Sequence, residues 1–359
     1  MRVIISAGGT GGHIYPALAI INKIKEKEPN SQFLYIGTHN RMEKDIIPKK
    51  NIPFKSIEMY GFDKKHLLKN FKTIKCLFKS FKKCKKIINE FKPDIVIGVG
   101  GYVTVPVIVS AKKLGYKTFI HEQNIIPGKA NRYLEKYCDL IGVSFEESKK
   151  YFKSKTVLTG NPCGEDATSA IPITKTELGL SSNKKLIVIV AGSLGSSTLN
   201  TYLTKALKKF DNPIYEVLFI TGRNSYEKLN KVKFPNNVKV IPFYEGLPKV
   251  LKRTDIIITR AGASTLSEII SLEVPSILIP SPYVANNHQY INAKVLVDNS
   301  AATMIEEKDL KNDVLLDKVN SLITDNLCLR KMKENLKKLK VANSAEIIYN
   351  EIKKIIKKS

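Results

Sequence analysis

The apolar positions of this 359-residue chain fall into two patterns that alternate along its length. Val3, Ile4 and Ile5 form a short unbroken β-branched run, the mark of a strand covered on both faces. From Tyr15 onward, Pro16, Ala17, Leu18, Ala19, Ile20, Ile21 and Ile24 recur at helical intervals, with the proline in the first turn. Continued through the first half, the alternation predicts strands at 2–6, 32–36, 94–98, 117–121, 139–143 and 156–158. Helices are expected at 15–28, 105–114 and 128–136, with a basic helical region at 64–92. The segment "KKLIVIVAGSLGSSTLN" then restarts the plan of strand, small-residue loop and helix, and strands follow at 215–220, 238–241, 255–259 and 276–279. Such alternation builds parallel sheets flanked by helices, so the restart predicts two doubly wound, Rossmann-like α/β domains facing each other across a cleft. The expected domains are 1–162 and 163–340, with "GNPCGEDATSAIP" at 160–172 as the linker. Residues 341–359 carry the amphipathic "SAEIIYNEIKKIIKKS", expected to pack back on the first domain.

Composition narrows the class. A hydrophobic content of 43% suffices for packed cores, and no apolar run is long enough to span a bilayer. The first apolar stretch breaks at glycines too early for a signal peptide, so the chain is expected in the cytosol. Cys76, Cys84, Cys138, Cys163 and Cys328 are scattered without metal-ligand spacing and read as free thiols in a reducing compartment. A net charge of +26 calls for a polyanionic partner: nucleic acid, anionic lipid or a phosphorylated substrate. Only seven of the 59 basic residues are arginine, and base recognition leans on arginine, which counts against sequence-specific nucleic-acid binding. The charge is also uneven, +17 over residues 1–160 and +9 over 161–359.

Candidate chemistry lies where strands give way to helices. "GGTGGH" (8–13) follows the first strand, and glycines there let a ligand approach backbone N–H groups at a helix start, which suits phosphate or diphosphate. It is not a P-loop, since His13 and Ile14 stand where Lys-Ser/Thr is required, and Ile14 also breaks a G-x-G-x-x-G frame. A nicotinamide cofactor would need an acid after the second strand, where "FLYIGTHN" supplies Gly37, Thr38 and His39. Four more strand-end stretches resemble ligand loops: "GVGGY" (98–102), "HEQN" (121–124), "AGSLGSS" (191–197) and "TRAGASTLSEI" (259–269). In the last, Glu268 falls about one turn into a helix, where a carboxylate either accepts hydrogen bonds from vicinal ribose hydroxyls or simply complements the helix dipole.

Taken in order, "GGTGGH", "GGY", "FIHEQN", P-G-x-x-N-R, "GNP", GS-x-G, TRAGAST-x-SE and NHQ-x-x-NA resemble the MurG family of peptidoglycan N-acetylglucosaminyltransferases over nearly the whole chain. The resemblance implies the two-domain GT-B architecture and an inverting hexosyltransferase that needs no cofactor. The donor would be UDP-N-acetylglucosamine, and the acceptor the C4 hydroxyl of the undecaprenyl-linked N-acetylmuramoyl-pentapeptide, lipid I. Transfer yields lipid II for peptidoglycan. It also implies a peripheral protein on the cytoplasmic side of the cell membrane, working beside other cell-wall synthesis proteins and without nucleic acid. Carried over by position, Thr10, Gly11 and Gly12 border the donor site and Asn124 lies near the transferred sugar. Ser193 meets a donor phosphate, and the backbone of Tyr244 reads uracil. Ala263, Ser264, Thr265, Leu266 and Ser267 wrap the diphosphate and ribose, Glu268 holds the ribose hydroxyls, Gln289 contacts sugar hydroxyls, and Arg260 matches the family's arginine before that loop. The chain departs from the family at Gly164 (usually Arg), Ala191 (Gly), Leu194 (Gln) and Val105 (Gly), which bears on donor affinity more than on reaction class.

Single-displacement inversion requires a base for the acceptor proton, and His13 is the candidate, either as the base or as an acceptor-orienting residue. A helix N-terminus favours neutral imidazole, which suits a resting base but opposes the imidazolium it becomes. His121 and Glu122 are weaker candidates, Glu122 serving alternatively to orient its loop. No D-x-D occurs, so the leaving diphosphate is expected to be stabilised by helix N-termini and loop amides, without a metal. In 64–92, Leu67, Phe71, Ile74, Phe78, Phe81, Ile88 and Phe91 form an apolar stripe among 11 lysines and one glutamate. The stripe predicts a division between sheet packing and lipid contact on an anionic membrane, with aromatics near 61–70 touching lipid. Two rivals remain: a basic nucleic-acid-binding protein, and a UDP-N-acetylglucosamine 2-epimerase of the same architecture.

Overall fold

The computed structural model describes residues 1–60, 70–191 and 196–357. They form two units, Met1–Cys163 with Asn343–Ser359, and Gly164–Ala342. The first unit runs β1 (Arg2–Ser6), α1 (Gly11–Lys27), β2 (Gln32–Thr38), α2 (Glu43–Ile46), β3 (Phe54–Ile57), α3 (Asn70–Phe91), β4 (Ile95–Gly98), α4 (Thr104–Lys113), β5 (Lys117–Glu122), α5 (Lys129–Leu134), β6 (Leu140–Val143) and β7 (Thr156–Leu158). Its seven strands are all parallel, in the order β3-β2-β1-β4-β5-β6-β7. Both faces are covered, which is why β1 is apolar without interruption. Val3 and Ile5 pack with Ile14, Ile21 and Ile24 of α1, while Ile4 packs with Ile88 of α3 and Val107 of α4.

The chain then enters α6 (Pro162–Ser169), whose residues from Gly164 on belong to the second unit. That unit continues through β8 (Lys185–Val190), α7 (Ser197–Ala206), β9 (Tyr215–Ile220), α8 (Arg223–Leu229), β10 (Val238–Ile241), α9 (Leu247–Leu251), β11 (Ile256–Thr259), α10 (Ala263–Leu272), β12 (Ser276–Leu278), α11 (His288–Asp298), β13 (Thr303–Met304), α12 (Val314–Thr324) and α13 (Asn326–Leu339). Its six strands are again all parallel, ordered β10-β9-β8-β11-β12-β13. The last helix, α14 (Ser344–Lys357), returns to the first unit, where Ile348, Ile352 and Ile355 join the cluster around Ile5 and Ile21.

Several elements differ from the sequence reading. Helix α1 begins at Gly11, four residues before the expected start, because Thr10 is extended and serves as its N-cap (φ −142°, ψ 160°). Gly11, Gly12 and His13 therefore form its first turn, and the loop proper is only residues 7–10. The expected linker is the helix α6, and Pro162 opens it in a position where its missing N–H costs nothing. Strands β3 and β13, both short and at sheet edges, are additions.

Helix α3 corrects the stripe. Its buried face is Cys76, Ser80, Cys84, Ile87 and Ile88, with Phe81 and Phe91 partly covered. Phe78 is 70% exposed and stands on a face with exposed Lys75, Lys79, Lys82, Lys85 and Lys86. Of the stripe, Ile88, Phe81 and Phe91 pack as expected and Phe78 does not, while Cys76, Ser80 and Cys84 fill out the buried face. Leu67 and the side chains of Phe71 and Ile74, with the rest of 61–69, lie outside the described residues.

Candidate functional site

Each sheet has a point where its strand order reverses: between β1 and β4 in the first unit, and between β8 and β11 in the second. Open α/β sheets bind ligands at the carboxyl ends of the strands beside such a point. Found there are the loops 7–10 and 99–103 in the first unit and, in the second, the loop 260–262 together with Ala191 and Ser196, which bound residues outside the described ones. These correspond to four of the five stretches singled out in the sequence. A cavity of about 590 Å³, lined by Arg2, Phe33 and Ile52 among others, lies at the amino ends of β1 and β2, opposite to the glycine loop.

At the end of β1, His13 projects from the first turn of α1 and its Nδ1 lies 3.0 Å from the Gly8 carbonyl oxygen. A carbonyl oxygen only accepts, so Nδ1 carries the proton and the Nε2 lone pair is the basic one. The glycines of "GVGGY" make room for this arrangement. A Cβ on Gly100 would stand 2.5 Å from His13 Cδ2, and one on Gly101 would stand 2.5 Å from the Gly8 carbonyl oxygen. Both glycines have positive φ, 106° and 89°. "GVGGY" is thus a socket for the imidazole and its loop. Thr10 and Gly12 are exposed beside it, and Gly11 is buried.

A residue that sequence reasoning missed lies underneath. Glu43, at the start of α2, is 0% exposed. Its Oε1 accepts from Thr38 N (2.9 Å) and Thr38 Oγ1 (2.6 Å), and its Oε2 from Gly9 N (3.1 Å). A Cβ on Gly8 or Gly37 would collide with the Glu43 side chain. The one sequence signal was negative: Gly37-Thr38 where a ribose-binding acid was sought.

At the end of β5, His121 is withdrawn from chemistry. Its Nδ1 accepts from Gln123 Nε2 (3.1 Å), its Nε2–H donates to the Gly160 carbonyl (2.9 Å), and burial pushes its pKa down to about 4. Glu122 orients its loop. One oxygen accepts from Asn124 N (2.9 Å) and Asn124 Nδ2 (3.2 Å), the other from Gly128 N (3.0 Å) and Asn131 Nδ2 (2.8 Å). Asn124 is thereby fixed, half-buried, at the strand end. Gln123 Oε1, Asn131 Oδ1 and Ser144 Oγ are buried there without a partner among the described residues, leaving hydrogen-bonding capacity for water or a polar ligand.

In the second unit, Ala263 to Ser267 form the first turn of α10 behind the N-cap Gly262. Ser264 and Thr265 are half-buried, while Ala263, Leu266 and Ser267 are buried. Arg260 is committed within the fold. Its Nη1 pairs with Glu307 Oε2 (2.6 Å) and donates to the Ile279 (3.2 Å) and Pro280 (3.3 Å) carbonyls, and its Nη2 donates to Ser196 Oγ (2.8 Å). Ser196 is the N-cap of α7, so Arg260 ties the loop after β8 to the loop after β11. Gln289 Oε1 accepts from Ser281 N (2.8 Å), pinning the turn after β12. Tyr244 packs against the cluster of Val188, Leu218 and Val250. Ser193 and Leu194 lie outside the described residues.

Glu268 is half-buried, and its carboxyl is pushed up to about 8, first by burial and then by the Asp166 carboxylate on α6. Gly164 explains that proximity. A Cβ there would run into Ser271 Oγ and stand 2.9 Å from Ser267 Oγ and 3.0 Å from the Ser267 carbonyl oxygen. The helices α6 and α10 touch through the glycine, and the space an arginine would need is filled.

Two family models match the chain: the glycosyltransferase family 28 N-terminal domain over residues 3–143, and the glycosyltransferase family 28 C-terminal domain over residues 186–348. A relative from Bacillus cytotoxicus, named UDP-N-acetylglucosamine--N-acetylmuramyl-(pentapeptide) pyrophosphoryl-undecaprenol N-acetylglucosamine transferase, is 44% identical over 100% of both chains. Among solved structures, Acinetobacter baumannii MurG is similar with a TM-score of 0.78 and 27% identity, covering 98% of this chain and 99% of that one. A UDP-GlcNAc 2-epimerase from Neisseria meningitidis, with a TM-score of 0.67 and 18% identity over 99% of this chain and 100% of that one, shares the fold alone.

Proposed function

The chain belongs to glycosyltransferase family 28, and from that premise we propose that it transfers N-acetylglucosamine from UDP-N-acetylglucosamine to the C4 hydroxyl of the N-acetylmuramoyl-pentapeptide on undecaprenyl pyrophosphate, making lipid II. The observation that carries this reading is the full-length 44% identity to a relative named for that transfer. The architecture is GT-B, two Rossmann-like units with parallel sheets. The 2-epimerase reading rests on a likeness of fold at 18% identity and has no comparable support.

In the proposed mechanism, the first turn of α10 offers N–H groups to the donor diphosphate, with Ser264 and Thr265 beside it. Ser193, outside the described residues, is proposed to meet a donor phosphate as the family resemblance implies. Glu268 accepts from the ribose hydroxyls, the backbone at Tyr244 reads the base, and Gln289 meets sugar hydroxyls. Thr10, Gly11, Gly12 and Asn124 line the sugar and acceptor side. Arg260 acts by holding Ser196. His13 Nε2 takes the C4 hydroxyl proton as that oxygen attacks the anomeric carbon from the face opposite UDP, inverting it. Charge on departing UDP is met by helix-start dipoles, so the reaction is metal-independent. The test is to incubate the protein with UDP-N-acetylglucosamine, with and without lipid I, in chelator. Lipid II and UDP formed only with lipid I support the reading; a 2-epimer formed without acceptor, or a strict need for added Mg²⁺, overturns the corresponding part.

The raised Glu268 carboxyl gives a pH prediction. In the empty fold the acid form is favoured between pH 4.5 and about 8, so Glu268 contributes stability that is complete below 4.5 and lost as pH rises through 8. Ribose hydroxyls donate, so UDP binds the carboxylate form. UDP affinity is therefore expected to rise about tenfold per pH unit up to pH 8 and then level, with proton release on binding. Calorimetry in buffers of different ionisation enthalpy checks this, and a flat profile, or a Glu268→Gln variant with the same slope, sinks it.

The protein is also proposed to dock peripherally on the cytoplasmic face of the membrane through α3. The exposed lysine face around Phe78 combines charge for anionic headgroups with an aromatic group for the interface. Phe78→Ser with Lys79→Glu and Lys82→Glu is expected to abolish sedimentation with anionic vesicles at low salt. Unchanged sedimentation of this variant would exclude the face.

A further inference from the structure

The position of Glu43 answers a difficulty that His13 raises. A base at the start of a helix must become positively charged where the helix dipole opposes positive charge. The Gly9 N–H and the Gly8 C=O belong to one peptide group. The first donates to Glu43 Oε2 at 3.1 Å, and the second accepts from His13 Nδ1 at 3.0 Å. We propose that Glu43 is a positioning residue for the transfer, acting on His13 through the Gly8–Gly9 peptide: carboxylate, peptide and imidazole form a single hydrogen-bonded relay that fixes the Nδ1–H tautomer and supports the imidazolium. The inference rests on the reading of His13 as the base.

Three observations make the relay a built feature. Glu43 is fully buried, and the two oxygens of its carboxylate are divided between Thr38 and Gly9. The slot it fills exists because Gly8 and Gly37 lack side chains, since a Cβ on either would meet it. The peptide itself cannot rotate away. Gly9 has φ +92°, Gly8 N donates to the Gly100 carbonyl at 3.2 Å, and the Tyr35 hydroxyl donates to the neighbouring Ala7 carbonyl at 3.0 Å. Physically, a negative charge on the N–H side of a peptide polarises its carbonyl and strengthens it as an acceptor, and hydrogen bonds in such a chain reinforce one another in a low-dielectric interior. The carboxylate thus reaches the imidazole without touching it. No proton passes along the relay: Glu43 stays a carboxylate, Nδ1 keeps its proton, and the proton from the acceptor arrives at Nε2.

The test has one readout that needs no turnover and one that does. With ¹⁵N-histidine labelling, His13 in the wild-type protein is expected as the Nδ1–H tautomer; an Nε2–H tautomer overturns the relay outright, whatever the activity. In Glu43→Gln, where neutral amide replaces the charge and its NH₂ faces an N–H donor, the tautomer preference is expected to weaken. There kcat should fall about 10- to 100-fold, the scale set by removing a carboxylate that orients a functional histidine. KM for UDP-N-acetylglucosamine should stay within about twofold, because its proposed contacts at α10 are untouched. Thr38→Val removes one bond to Glu43 and keeps its charge, so it should lower the melting temperature yet keep kcat within about threefold. If both variants lose kcat in proportion to stability, or Glu43→Gln leaves the tautomer unchanged, Glu43 is only a strut. If wild-type protein makes no lipid II while the tautomer behaves as described, the reaction reading fails and the relay stands.

Discussion

His13→Gln is expected to lower kcat by about 10²- to 10⁴-fold, the range for loss of a positioned general base, with KM for UDP-N-acetylglucosamine nearly unchanged. Glutamine keeps a side chain near the size of imidazole at the start of α1, and the socket formed by Gly100 and Gly101 remains filled. What it loses is the imidazole Nε2 lone pair that would take the acceptor proton. The melting temperature should move little, because His13 is half-buried and its Nδ1 bond to the Gly8 carbonyl has a neutral amide donor as a substitute. Steady-state kinetics at saturating donor and acceptor decide the matter. Turnover within threefold of wild type would show that proton removal does not depend on this residue, leaving His13 a purely acceptor-orienting role.

How much of this site could be read in advance depended on whether a residue acts through its own motif or through its surroundings. His13 and Glu268 stood out because each follows a run of small residues at a strand end, a local pattern. The continuous apolar runs of β1 and β8 likewise announced parallel sheets covered on both faces. Glu43 carried no such signal: it gains its role from Gly8, Gly9, Gly37 and Thr38, which the β1–β2 pairing brings together. His121 shows the reverse. "HEQN" resembles a ligand loop with His121 as a weaker candidate base, but Gln123 and Gly160 close on both ring nitrogens, and Gly160 is 39 positions away. Gly164 stands where the family usually has arginine, and tertiary packing uses it as the contact between α6 and α10. Helix α3 was legible in part: Ile88, Phe81 and Phe91 of the stripe pack into the core cluster as expected, whereas Phe78 stays exposed and the small residues Cys76, Ser80 and Cys84 complete the buried face.

The two glycines of the socket should separate catalysis from stability. In Gly100→Ala the new methyl stands 2.5 Å from His13 Cδ2, a flexible side chain, so the imidazole swings aside while the backbone holds. A displacement of about an ångström in a reacting group costs on the order of 10²-fold, and kcat should fall by that much. The positive φ of 106° adds strain of about 1–3 kcal/mol. In Gly101→Ala the methyl meets the Gly8 carbonyl oxygen at 2.5 Å, with Gly8 C and N also within 3.3 Å, all backbone. No rotamer relieves that clash, so overpacking of about 1–3 kcal/mol adds to strain of similar size. For a unit of this size each kcal/mol lowers the melting temperature by roughly 2–4 °C, so Gly101→Ala should melt clearly below Gly100→Ala. Because the Gly8 carbonyl also holds His13 Nδ1, Gly101→Ala should lose activity even at temperatures where it is fully folded. Thermal melts and kinetics on the same preparations measure both effects. A Gly100→Ala variant with wild-type kcat would mean that the imidazole is not held in this socket during turnover.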